Sequence, residues 1–121
     1  MKAQQLLADV NLSEVVFPAA SSTAILRFLN MHDGGAVGSL VCRGVVVFAY
    51  HTRPESSLPE YVGEMNHTAV LSRDVPTLLA GLRYSWHGGA AVTPEGGALQ
   101  HVHIEGGLVI DIVCDGVQLV P

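Results

Sequence analysis

Two histidines and an aspartate near the end of the chain are the residues best placed to do chemistry. His101 and His103 alternate with apolar residues ahead of a Gly-Gly pair, and Asp111 lies in the apolar run behind it. This pattern on both sides of glycines predicts two strands joined by a hairpin. Imidazole nitrogens and carboxylate oxygens are ligands for zinc and similar metals. His101, His103 and Asp111 are therefore a candidate zinc site.

The register of this hairpin decides which side chains share a face, because a slip of one residue moves every side chain to the other face. A two-residue turn at Gly106 and Gly107 would mix polar and apolar groups on both faces. A three-residue turn from Glu105 to Gly107, with Gly107 left-handed, separates them and pairs His101 with Asp111. The other face is then wholly apolar, formed by Val102, Ile104, Leu108, Ile110 and Ile112. We expect the three-residue turn, which places the candidate ligands beside Val109 and Val113.

The same three residues have two interpretations that need no metal. The first is a His–Asp pair held by hydrogen bonds on a half-exposed sheet face. The second is a pH-dependent stability element, because a carboxylate beside a histidine raises the imidazole pKa. His51, His67 or His87 could add a metal ligand, although the sequence does not place them at the hairpin.

Motifs for other chemistry do not occur in the sequence. It contains no Gly-x-Ser-x-Gly elbow, no P-loop and no His-Glu-x-x-His pair. Cys42 and Cys114 both lie in β-branched runs, where cysteine is usually a small buried hydrophobe. We therefore expect two free structural thiols, no catalytic residue, and no cofactor other than zinc.

The elements that must position these residues are mainly strands. The segment 21–31 fits both a strand and a helix, and the His-Asp-Gly-Gly turn after it favours a strand that forms half of a hairpin. Gly44 interrupts a long β-branched run and suggests a bulge. The predicted strands cover 10–17, 37–51, 61–71, 100–105, 108–113 and 117–120.

One helix is predicted at about residues 74–85. Pro76 lies in its first turn, where no hydrogen-bond donor is needed. Its apolar residues have the spacing of one buried face, formed by Val75, Leu78, Leu79, Leu82 and Trp86. The predicted fold is a single α+β domain, in which a largely antiparallel sheet built from hairpins is covered on one face by this helix.

The composition is rich in apolar residues and poor in charge. Of 121 residues, 49% are hydrophobic and 14% are charged, and the formal net charge is −5. This balance excludes a disordered chain, and the six scattered basic residues argue against a nucleic-acid partner. No run reaches the roughly 18 apolar residues of a membrane span, and no signal peptide is recognisable, so we expect a cytoplasmic protein with no membrane partner.

So few charges leave part of the surface apolar, which predicts a homo-oligomer, with a dimer as the simplest case, or another protein partner. The candidate interface residues are Trp86, which lies at the end of the predicted helix, and Val109 and Val113 beside the histidines. The leading functional hypothesis is a non-enzymatic interaction domain that self-associates. The alternative is a small metal-binding or ligand-binding domain.

Three blocks of the sequence resemble small uncharacterised bacterial proteins, some of them of immunity or accessory type. The blocks are Cys42 to Phe48, Tyr61 to Glu64, and His101 to Gly107 with its continuation to Cys114. They carry strand and turn patterns, and no site residue follows from them. The resemblance implies a bacterial cytoplasmic setting and favours protein binding.

Overall fold

Within the described residues, the chain forms one antiparallel sheet of nine strands and a short helix. A computed structural model describes residues 4–19, 21–53, 55–71, 74–81 and 98–121. The strands are β1 (Gln4–Leu7), β2 (Val10–Val16), β3 (Ala24–Asn30), β4 (Ala36–Arg43), β5 (Val47–Thr52), β6 (Tyr61–Leu71), β7 (Ala98–Gly106), β8 (Leu108–Cys114) and β9 (Gly116–Val120), and α1 covers Val75–Gly81. The strand order is β5-β8-β7-β6-β2-β3-β4-β9, and β1 also pairs with β6.

The expected α+β fold with a main helix at about 74–85 is wrong. Within the described residues the only helix is α1, which has seven residues, and residues 82–85 lie outside them. The main hydrophobic cluster is built by strands alone, so no helix is needed to cover the inner face of the sheet. A helix this short gains little from its own hydrogen bonds. The amphipathic spacing that follows the proline therefore corresponds to a short local helix, and not to a helical layer that covers the sheet.

A sharp corner between Arg43 and Val47 folds the sheet over itself. Strand β4 continues into β5 there, and the neighbouring β8 continues into β9 through Asp115. The backbone N–H of Asp115 donates to Arg43 O (2.9 Å), and that of Val46 donates to Val113 O (2.7 Å). The β4–β5 segment and the β8–β9 segment therefore stay side by side around the bend. Strands that pass from one half of a folded sheet to the other through such bends make the corners of this architecture.

Gly44 makes this corner possible. Its φ of +64° lies in the left-handed region, which glycine adopts without steric cost. A Cβ at this position would also lie 2.6 Å from the Cβ of Asp115. The sequence predicted a bulge at Gly44 within one long strand; the structure instead has a corner there, which separates β4 from β5.

Buried residues form one large cluster inside the fold and a small one on its outer face. The large cluster takes its members from six strands, at alternate positions except across the irregularity in β6 between Val62 and Glu64: Val10, Ala24, Leu26, Phe28, Leu40, Cys42, Val62, Met65, Val102, Ile104, Leu108, Ile110, Ile112 and Cys114. The small cluster contains Val47, Leu99 and Val113, against which Leu78 of α1 packs. Both cysteines are free and buried, as expected.

The strand predictions fare better than the helix. Strand β2 ends before Pro18 as expected, and the ambiguous segment 21–31 contains β3, which forms the favoured hairpin with β4. Strand β1 was not predicted. Of the apolar residues assigned to the helix face, Leu78 is partly buried; Leu82 and Trp86, and the side chains of Val75 and Leu79, lie outside what the structure describes. Within the described ranges, no helix is long and apolar enough to cross a membrane.

Candidate metal centre

The hairpin of β7 and β8 presents the faces that were predicted, in a register shifted by two residues. His103 lies opposite Asp111 and His101 lies opposite Val113, whereas we expected His101 opposite Asp111. Because the shift is even, the apolar residues still face the core and the candidate ligands still share the outer face. The shift follows from neighbouring strands, since Gly106 pairs with Val62 of β6 and Leu108 pairs with Thr52 of β5.

The expected left-handed conformation of Gly107 is wrong. A glycine is needed here because the backbone of another segment approaches it closely. Its φ is not positive. Its N–H donates to Tyr61 O at 2.8 Å, and a Cβ would lie 1.7 Å from Leu58 O. The loop before β6 therefore lies directly on the turn and fixes where the hairpin ends.

The three predicted ligands converge on one point of the outer face. Asp111 Oδ1 lies 2.8 Å from His101 Nε2 and 2.7 Å from His103 Nδ1. One ligand atom from each residue lies within 4.8 Å of the other two. The Asp111 side chain is 9% exposed, that of His101 is 20% exposed, and that of His103 is 36% exposed. The cluster thus has a buried carboxylate at its base and a solvent-accessible imidazole at its rim.

Hydrogen bonds and charges together outweigh burial in displacing the pKa values of His103 and Asp111. Burial lowers the pKa of His103. The hydrogen bonds and negative charges of Asp111 and Glu105 raise this pKa by more than burial lowers it, so it lies above the ordinary 6.5. Burial raises the pKa of Asp111, but the hydrogen bonds and charges of His101 and His103 leave it below the ordinary 3.8. The carboxylate is therefore ionised at neutral pH, as a metal ligand must be.

Glu105 and Arg53 extend the cluster towards solvent. Glu105 Oε1 lies 3.5 Å from His103 Nε2, the ring nitrogen that faces away from Asp111. Arg53 Nη2 lies 3.3 Å from the same Glu105 oxygen. Sequence reasoning missed both roles. Glu105 follows His101 and His103 at the same two-residue spacing, which was a usable signal, but nothing in the sequence places the loop residue Arg53 here.

The other histidines do not join this cluster. His51 is exposed on β5, opposite Val109 of β8. It lies on the same outer face, but on the side of β8 that is away from β7 and its two histidines. His67 pairs with the core residue Val102, on the inner-facing side of β6, and contacts Gln100 Oε1. His87 lies outside the described residues.

The candidate interface residues have different environments. Val113 is buried in the small outer cluster with Val47 and Leu99, whereas Val109 is half-buried. Trp86 lies outside the described residues.

Comparisons with known proteins identify a family and a fold. A model of one protein family, described only as "-like", matches residues 5–121. No curated protein matches the chain. The chain is similar to the crystal structure of an uncharacterized protein from Neisseria gonorrhoeae, with 16% identity and a TM-score of 0.66 over 100% of this chain and 99% of that one. At this identity the likeness shows the fold alone. The small uncharacterised family that the resemblance implied is thus supported, but an immunity or accessory role is not.

Proposed function

We propose that this chain, which belongs to the family whose model spans residues 5–121, binds a divalent transition-metal ion such as Zn²⁺. His101 Nε2, His103 Nδ1 and one carboxylate oxygen of Asp111 are the ligands. The observation that carries the proposal is that both imidazoles direct a nitrogen at the same buried carboxylate oxygen. Two histidines and a carboxylate form a donor set used by catalytic zinc and non-haem iron sites.

Small movements of the side chains would convert the hydrogen-bonded cluster into a metal site. Around a tetrahedral ion with ligand bonds of about 2.0–2.1 Å, ligand atoms lie roughly 3.3 Å apart. The two His–Asp distances, 2.8 and 2.7 Å, must therefore lengthen by about half an ångström, and the two histidine nitrogens, which lie within 4.8 Å of each other, must also come to about this spacing. The ring protons that now point at Asp111 must move to the opposite nitrogens, and for His103 that nitrogen faces Glu105. A carboxylate that accepts from the free N–H of a ligating histidine is the usual support of such a ligand.

Calorimetric titration of untagged, metal-free protein with Zn²⁺ tests this function. We expect one ion per chain, and we expect His103→Gln to weaken binding by roughly tenfold or more. His103 is half-exposed, so this variant should fold, which circular dichroism checks. His32→Ala is the matched control, because His32 is exposed in the turn between β3 and β4. Equal zinc affinity of wild type and His103→Gln, or no binding by either, would refute the proposal.

Self-association is a second candidate function, favoured by the outer edge of β9. Among the described strands β9 pairs with β4 alone, so its other edge is open. Gly116 to Val120 contains no charged residue, and Leu119 and Val120 are 40% and 37% exposed. Edges of monomeric proteins are usually protected by charge, proline or bulges. The occupant that fits is β9 of a second copy, paired antiparallel about a two-fold axis.

Light scattering measures this directly. The expected result is a dimer for wild type and a monomer for Leu119→Lys, which places a charge on the edge. Leu58→Lys is the control, since Leu58 is 56% exposed but belongs to a loop. A monomeric wild type would exclude this dimer.

A further inference from the structure

The metal centre supplies fewer ligands than a divalent ion takes up. Zinc in catalytic sites has three protein ligands and keeps a fourth position for water or substrate, and Fe²⁺ and Co²⁺ accept four to six ligands. The described residues provide three converging ligand atoms, from His101, His103 and Asp111. His51, the nearest histidine of the same face, is one step further along β5 and is not part of the convergence.

The unfilled side of the site faces solvent. Asp111 forms the buried base, while His103 at the rim is 36% exposed. Towards α1 the same face is closed by the small apolar cluster of Val47, Leu99 and Val113. In the opposite direction lie exposed polar residues, among them Glu105 and His51. A small molecule can therefore approach the ion from the rim and from this polar side.

The charge of the loaded site favours an anion. A divalent ion held by two neutral imidazoles and one carboxylate leaves a net charge of +1. Two further carboxylates lie nearby, and each has a partner: Glu105 contacts Arg53 at 3.3 Å, and Glu64 accepts from Asn66 Nδ2 at 2.6 Å. Arg53 offsets the charge of Glu105, which contacts His103, so this nearest carboxylate does not cancel the positive charge; Asn66 is neutral and leaves the charge of Glu64 in place.

We propose that the metal ion at His101, His103 and Asp111 holds an exchangeable water that a small anion replaces, which makes this an open ligand-binding centre rather than a structural metal site. The inference rests on the metal-binding function proposed above. In the exchange a lone pair of the anion forms a bond to the metal, the bond to water breaks, and water leaves intact. No proton or electron is transferred.

Azide titration of the Co²⁺-loaded protein, followed by visible absorption, tests the inference. Cobalt reports its coordination through its d–d bands, and azide is a small anion that coordinates it. We expect millimolar azide to shift these bands saturably, and perchlorate at the same ionic strength to leave them unchanged. Cobalt bands that azide does not move would overturn the open centre and leave metal binding intact. If cobalt bands do not form at all, the proposed function and this inference both fail.

Discussion

At the scale of single residues, Asp111 determines what the outer face can do. Among the described positions it is the one buried charged or polar residue, and its Oδ1 accepts from two imidazoles. Burying a carboxylate is unfavourable unless hydrogen bonds or opposite charge compensate it. The two histidines supply that compensation in the metal-free protein, and a divalent ion would supply it more strongly. The same geometry therefore serves stability without metal and binding with it.

The pH dependence of the metal-free protein follows from the two displaced pKa values. The raised pKa of His103 contributes stability that is complete below 6.5 and is lost as pH rises through the folded-state value. The lowered pKa of Asp111 contributes stability that is complete above 3.8 and is lost as pH falls through the folded-state value. The joint contribution is thus greatest between those pH values. The difference in Tm between wild type and His103→Gln should be larger near about pH 5.5 than near about pH 8.5. A difference that is constant across this range would show that the pair does not titrate as described.

Glu105 should act on metal affinity through His103. Its carboxylate is positioned to accept the Nε2–H that His103 must carry when Nδ1 binds an ion. Glu105→Gln should weaken Zn²⁺ binding by about 10- to 100-fold, the usual effect of losing such a partner. Glu64→Gln is the matched control, because Glu64 lies opposite Glu105 on β6 and is exposed. If calorimetry gives the two variants the same zinc affinity, Glu105 does not support metal binding through His103.

At the scale of elements, the turn of the β7–β8 hairpin fixes the register on which the site depends. Gly107 lies against the carbonyl of Leu58, so Gly107→Ala would require that loop to move. Overpacking of this kind typically costs about 1–3 kcal/mol, and a contact of 1.7 Å with backbone belongs at the upper end. Gly116→Ala is the control, since a Cβ there meets nothing within 4 Å. Urea denaturation should separate the two variants, and equal stabilities would contradict this packing.

Sequence patterns predicted the elements unevenly, for identifiable reasons. Period-two alternation gave the faces of β7 and β8 correctly, because burial on one side constrains every second residue. It could not give the register, which Thr52 and Val62 impose from strands distant in sequence. The prediction of a main helix at about 74–85 was wrong because amphipathic spacing does not reveal that a folded sheet already covers the core. The candidate ligands were found, but Arg53 was not, since loops carry no such periodicity.

At the scale of the whole molecule, the corner joins the two halves of the sheet into one core. Cys42 and Cys114 lie there, and both are 0% exposed. The hydrogen bond that the Cys114 thiol donates to the Cys42 sulfur, together with burial, raises the pKa of Cys114, which disfavours its reactive thiolate. Neither thiol should react with a maleimide until the core opens, and both should react in denaturing urea. Rapid labelling of the native protein, counted by mass spectrometry, would show that the corner opens separately from the rest of the fold.

Whether His101, His103 and Asp111 together hold a metal ion, as we propose, can be seen by X-ray diffraction at the zinc absorption edge from zinc-loaded crystals. Metal binding by these residues predicts an anomalous peak about 2.0–2.2 Å from His101 Nε2, His103 Nδ1 and one Asp111 oxygen. It also predicts that the two His–Asp hydrogen bonds of 2.8 and 2.7 Å are replaced by bonds to the ion. A zinc-loaded crystal with no peak at this point and with both hydrogen bonds intact would contradict it.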